Sequence, residues 1–197
     1  MNILLVEDNP DSRRNLRRLI EKRGHEVTAC ATAEEAETEV AKDDFPLVIL
    51  DWMLPGKSGI ELCRSLRLLP SGDEMYILLV TARANAEDLE EAMNAGANDY
   101  LTKPFDVRRL NVRITVAERH IQQLQERNAA RGALLEAAQR TADILEKTSD
   151  GFASFDRDWN FTHVNARAVK MMDRSRDELV GRNLWESFPH LLATAFE

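Results

Sequence analysis

Three runs of consecutive apolar residues, 3–6, 47–50 and 75–80, punctuate the first hundred positions, and each carries Ile or Val. Apolarity that is continuous rather than alternating belongs to strands buried on both faces. Two weaker runs, 26–30 and 98–102, bring the set to five. Helical periodicity fills the stretches between them, near 12–23, 33–42, 59–68 and 86–95. Five strand–helix repeats predict a doubly wound, five-stranded parallel sheet of the α/β class. In such a sheet the ligand site lies beyond the carboxyl ends of the strands. Glu7, Asp8, Asp51, Thr81 and Lys103 all fall there.

From Phe105 the pattern changes to one long helix. Apolar or small residues recur at Val107, Leu110, Ile114, Ala117, Ile121, Leu124, Leu135, Ala138, Ala142 and Leu145, in steps that alternate between three and four. About 42 residues at ~1.5 Å each reach ~63 Å. Up to Ile121 the helix has its own domain to cover it. Beyond that the heptad seam predicts a coiled coil, and with it a parallel homodimer through the helix of residues 110–145. Asn128 and Arg131 are polar steps in the seam, and Gly132 is a weak point. After residues 148–151 a hairpin is expected from 152–155 and 161–164 around a polar turn, then a helix over 166–172 and a second helical start near Asp177. The expected organisation is a globular domain over 1–121, a coiled-coil helix over 122–148, and a small α+β segment over 149–197.

A chain of 197 residues with 44% hydrophobic content suits one ordinary core and a smaller second element. Cys30 and Cys63 lie in apolar surroundings without metal-ligand spacing, as buried small hydrophobes in a reducing compartment do. No apolar stretch reaches eighteen residues and the N-terminus lacks signal-peptide character, so a cytoplasmic protein with no membrane partner is expected. Residues 1–104 hold 12 Lys/Arg against 20 Asp/Glu, and residues 105–197 hold 14 of each. Neither half offers the basic face that nucleic acid requires.

The candidate chemistry is a convergence of carboxylates. Glu7, Asp8 and Asp51 at strand ends would repel one another unless a hard cation intervened. Oxygen-only ligation without His or Cys points to Mg²⁺, with Mn²⁺ as a substitute. Lys103 precedes Pro104, which favours an extended or turn conformation that aims the ammonium over the strand ends. There it can pair with a phosphoryl oxygen on Asp51. The Thr81 hydroxyl and the Ala82 backbone N–H are donors suited to the remaining phosphoryl oxygens.

The motifs Leu5-Val6-Glu7-Asp8-Asn9, Leu50-Asp51-Trp52-Met53-Leu54-Pro55-Gly56, Val80-Thr81-Ala82 and Tyr100-Leu101-Thr102-Lys103-Pro104-Phe105 resemble, in order and spacing, the receiver domains of two-component response regulators. The resemblance covers residues 1 to about 120. It implies a flavodoxin-like fold and a regulatory domain rather than an enzyme. Asp51 would be the phosphoacceptor, served by a sensor histidine kinase or phosphotransfer protein. It also implies direct Mg²⁺ ligation by Asp8, Asp51 and the Met53 carbonyl, with Glu7 acting through water. Thr81 and Tyr100 would be the switch residues. Met53 and Arg83, two positions beyond Asp51 and Thr81, would flank the path of a hydrolytic water and lengthen the phosphoryl lifetime. A haloacid-dehalogenase phosphatase also uses an aspartate and Mg²⁺, but wants a second acid where Met53 stands. A flavin-mononucleotide binder would want a phosphate loop in place of Glu7-Asp8-Asn9-Pro10-Asp11.

The last fifty or so residues resemble the opening of a PAS sensory domain, through Asp150-Gly151-Phe152, residues 161–165 and residues 178–186. A complete PAS sheet takes about three more strands than these residues supply, so a longer signalling chain is expected, with no cofactor evident for the fragment. Phe152, Phe155, Phe161, Trp185 and Phe188 are expected to form an exposed apolar patch beside an unpaired strand, covered by a second copy of the chain.

Overall fold

The computed structural model describes residues 1–82, 85–189 and 191. It divides into two compact units, residues 1–128 and 129–197. In the first unit the strands are β1 (Asn2–Val6), β2 (Glu26–Cys30), β3 (Leu47–Asp51), β4 (Tyr76–Thr81) and β5 (Asp99–Thr102). They form one parallel sheet in the order β2-β1-β3-β4-β5. Helices α1 (Pro10–Glu21), α2 (Ala33–Val40), α3 (Gly59–Arg67) and α4 (Ala86–Asn94) connect them, with a short 3-10 turn at Gly72–Glu74 that the apolar pattern did not signal.

The continuous apolar runs explain the layering. Successive strand residues point to opposite faces, and in this sheet both faces are covered. Leu4, Val6, Val48, Leu50, Ile77 and Leu79 pack against α2, α3 and α4. Ile3, Leu5, Leu47, Ile49, Leu78 and Val80 pack on the other side with Leu16 and Ile20 of α1. Cys30 and Cys63 sit in the first of these cores, and burial pushes the Cys30 thiol up to about 11, so both are packing residues. Local signals start the helices. The side chains of Asn9, Thr32 and Asn85 accept amide hydrogen bonds of α1, α2 and α4, and Ser58 with Glu61 forms a capping box on α3.

The fifth helix, α5 (Val107–Lys147), runs 41 residues without a break, through Gly132 as well. Leu110, Ile114, Ala117 and Ile121 are buried in the second core. This corrects the expected pairing range of 110–145: side chains already committed to a domain core cannot also face a partner helix. Asn128 is likewise engaged, donating to Glu74 Oε1 at 3.0 Å. Of the expected seam beyond it, Leu135, Ala138 and Ala142 are exposed, as is the neighbouring Leu134.

In the second unit β6 (Ala153–Phe155) and β7 (Phe161–Val164) form the expected antiparallel pair, followed by α6 (Ala166–Met172), α7 (Arg176–Leu179) and α8 (Leu184–Ser187). The expected aromatic patch is not what the structure shows. Phe161 is buried, and the other four named aromatics are half-buried around it or beside it within the same unit. The outer edge of β7 is not bare either. The Phe161 amide donates to the Arg182 carbonyl and the Gly181 amide to the Phe161 carbonyl, with a bridge between Asn160 and Asn183. The chain after α7 therefore folds back along β7 and takes the place assigned to a second copy. Trp159 is the aromatic left half exposed, at φ 65°.

A candidate carboxylate and lysine site

The carboxyl ends of β1 and β3 deliver Glu7, Asp8 and Asp51 to one point, with one oxygen of each within 4.8 Å of the others. Glu7 and Asp51 are buried while Asp8 is exposed. The cluster is thus open to solvent on one side and set in protein on the other. Parallel register aligns it with the end of β4: Asp51 lies opposite Val80, and the Trp52 amide donates to the Val80 carbonyl at 2.9 Å. Thr81 follows, buried, with Ala82 exposed beyond it.

Lys103 reaches across from the end of β5. Its backbone amide donates to the Thr81 carbonyl at 2.6 Å. Its ammonium donates to Asp51 Oδ2 at 2.6 Å and to Glu7 Oε2 at 2.7 Å. One cation therefore sits between two buried anions, which cannot be left unpaired without a large desolvation penalty. Burial pushes the Glu7 carboxyl up, the Lys103 hydrogen bond draws it back, and the Asp51 charge adds to the rise; the net direction is up. For Lys103 burial acts downward, but the hydrogen bonds to Asp51 and Glu7 outweigh it and the ammonium is held above its ordinary range. The remaining Asp51 oxygen, Oδ1, accepts the Met53 amide at 3.0 Å, fixing the carboxylate in plane. Oxygen donors alone, one positive charge against three negative, leave a net deficit that a hard divalent cation fits.

Tyr100 is half-buried on β5 and lines, with Thr81, Trp52, Ala86 and Leu89, a pocket of about 210 Å³. Of the residues expected at the site, Glu7, Asp8, Asp51, Met53 and Lys103 come together in direct contact or within the carboxylate cluster, and Thr81 is joined to Lys103 through the backbone. Arg83 lies outside the described residues.

Two residues escaped the sequence reading. Arg13 donates from Nη1 to the carbonyls of Glu7 and Asp8, at 2.6 and 2.9 Å, clamping the loop that presents both acids. Gly59, the first residue of α3, sits so close to β3 that a Cβ there would lie 2.0 Å from the Asp51 carbonyl oxygen. An arginine one turn into a helix, or a glycine with ordinary φ, carries no sequence signal for such a contact.

The family model described as the response regulator receiver domain matches residues 3–115, and a PAS fold model matches residues 145–197. The phosphate regulon transcriptional regulatory protein PhoB of Rhizobium meliloti is 33% identical over 169 residues, 86% of this chain and 66% of that protein. The two-component response regulator PhoP of Pseudomonas aeruginosa is 35% identical over 147 residues, 75% of this chain and 64% of that protein. The chain spans just under two thirds of the length of these curated relatives. Among solved structures, the CheY-like receiver domain protein of Methanospirillum hungatei superposes with a TM-score of 0.58 at 30% identity, covering 62% of this chain and 96% of that one. Five parallel strands, a carboxylate cluster at their ends and a match through residue 115 agree with one another: the chain belongs to the response regulator receiver domain family, a family of regulatory domains.

Proposed function

We propose that Asp51 is the phosphoacceptor of a two-component relay, receiving a phosphoryl group from a histidine of a sensor kinase or phosphotransfer protein. The observation that carries this reading is a buried carboxylate held by a lysine at 2.6 Å with two further carboxylates beside it. An oxygen of Asp51 forms the new P–O bond as the donor's N–P bond breaks, and the electron pair returns to the imidazole nitrogen, which then takes a proton. Mg²⁺, or Mn²⁺ in its place, would be held by Asp8, Asp51 and the Met53 carbonyl, with Glu7 acting through water, and would supply charge neutralisation to the phosphoryl oxygens. Lys103 leaves its ion pair with Asp51 to meet a phosphoryl oxygen, and the Thr81 hydroxyl and Ala82 amide donate to others. As Thr81 moves toward the phosphoryl group, Tyr100 turns into the pocket they share.

The output path is α5. In this reading residues 1–121 are the switch, 122–148 a coiled-coil signalling helix and 149–197 the opening of a PAS domain, in a cytoplasmic homodimer that binds neither membrane nor nucleic acid. No helix among the described residues is long and apolar enough to cross a membrane. The test is covalent labelling of the full chain by acetyl phosphate and Mg²⁺. One phosphoryl group per chain is expected, and none in Asp51→Asn; undiminished incorporation in that variant would remove the proposal.

A further inference from the structure

Asn165 is completely buried, and its carboxamide makes four hydrogen bonds. Nδ2 donates to the carbonyls of Leu145 and Asp150, at 2.7 and 3.0 Å. Oδ1 accepts the amides of Phe152 and Ala168, at 2.9 and 2.8 Å. A carboxamide has two N–H donors and two acceptor lone pairs, so its capacity is filled. The four partners belong to four segments: the last turn of α5, the connector after it, the residue before β6, and the first turn of α6. Capping α6 needs only the bond from Ala168. The two Nδ2 bonds serve something else.

What they serve is the end of α5. That helix closes at Lys147, so the Leu145 carbonyl is among the last four, which have no partner within the helix. The next residue repeats the connection. Glu146 accepts the Ala166 amide at 3.3 Å and pairs with Arg176 at 3.0 Å, the first residue of α7. The final turn of α5 is therefore held by residues about twenty and thirty positions further on, through one buried amide and one half-exposed ion pair.

We propose that Asn165, flanked by the Glu146–Arg176 pair, is the joint that makes the fold of residues 151–189 follow the last turns of α5. A slide of the helix by one residue, ~1.5 Å, takes the Leu145 carbonyl out of reach. Asn165 is sealed from water, so the lost bond leaves a buried donor unpaired. The strand and helix that share Asn165 must then either move with α5 or separate from it, which are the two discrete arrangements that a coupling element requires. That the incoming signal is phosphorylation of Asp51 rests on the receiver reading; the joint itself does not.

Hydrogen exchange on the full chain tests it, read at the Phe161 amide, which is bonded to Arg182 rather than to Asn165. Ala137→Gly loosens α5 eight residues before Leu145, at an exposed position off the seam of Leu135, Ala138 and Ala142. It should lower Phe161 protection about fivefold, the effect of one interior helix glycine. In an Asn165→Ala background the same change should have less than a twofold effect. Equal responses in the two backgrounds, the additive result of merely structural roles, would overturn the joint. If Asn165→Ala does not fold, Glu146→Gln with Arg176→Gln should weaken the response and the exchanged pair Glu146→Arg with Arg176→Glu should restore it; an unaltered response in both overturns it equally. Acetyl phosphate supplies a second arm: labelled wild type should change Phe161 protection and labelled Asn165→Ala should not. Labelled wild type without a change also counts against the joint, whereas failure to label Asp51 defeats the receiver reading and leaves the Ala137→Gly result to decide the joint.

Discussion

Two anions around one ammonium dictate how the site answers to substitution. Glu7 is 2% and Asp51 6% exposed, and Lys103 is their common counter-charge. Lys103→Ala leaves both unpaired, and breaking a buried pair in this way costs about 3–5 kcal/mol. Denaturant titration should show that loss without divalent cation and a large recovery in Mg²⁺; a variant whose stability ignores Mg²⁺ refutes the cation assignment. The pH dependence follows from Glu7. Its carboxyl is raised above 4.5, so between that value and the folded one the folded chain holds a proton that the unfolded chain has released. Its contribution favours folding at low pH and is lost as pH rises through the folded value. The Lys103→Ala deficit should therefore be smaller near about pH 5 than near about pH 8, because protonation relieves the unpaired Glu7. Met53 is 55% exposed beside Asp51 and carries no group that could orient a water. It should screen the acyl phosphate, so Met53→Asn should shorten the phosphoryl lifetime; equally fast hydrolysis in wild type and variant would disprove that.

Single elements carry their own conflicts. The turn between β6 and β7 places Trp159 at φ 65°, a region that favours glycine, and stacks its ring against Trp185 and Phe155 at centroid distances of 5.3 and 6.0 Å. Stacking at about 0.5–1.5 kcal/mol per pair offsets a backbone cost of about 1–2 kcal/mol. Trp159→Ala loses the rings' contact and keeps the strain, whereas Trp159→Gly loses both. The glycine variant should therefore be the more stable of the two by about 1 kcal/mol, measured by thermal unfolding; the reverse order would show that the left-handed turn is not strained. The long helix shows the same division of labour on a larger scale. Its first turns are held by the sheet and its last by Asn165, while Leu134 and Leu135 between them face solvent.

At the scale of the whole molecule, those exposed leucines are the reason for proposing that two chains associate. A long helix with an uncovered apolar stripe is marginal in water unless something packs on it, and a second copy offers the same stripe in register. Leu124 is half-buried beside Pro46 and Met75 of its own unit, so a charge there would disturb that unit as well. Leu135→Asp is the cleaner test. Light scattering should give a dimer for the wild type at micromolar concentration and a monomer for the variant; a monomeric wild type removes the dimer.

Much of this was written in one dimension. Buried parallel strands need apolar runs, helices between them need periodicity and caps, and a chain that meets both conditions places Glu7, Asp8, Asp51, Thr81 and Lys103 at one edge before any contact is known. The long helix and the hairpin were legible for the same reason, as period and turn. What tertiary structure alone decided are relations between residues whose own sequence context is silent. Lys103 is 96 positions from Glu7, and their ion pair exists because the sheet order sets β1 and β5 within reach of one site. Gly59 is required because a helix begins against the Asp51 carbonyl, and Phe161 is buried because the chain after α7 returns along β7. Asn165 caps α6 in the structure and becomes a joint only because the end of α5 is brought to it. Periodicity records which face of an element is buried; it does not record what lies on the other side.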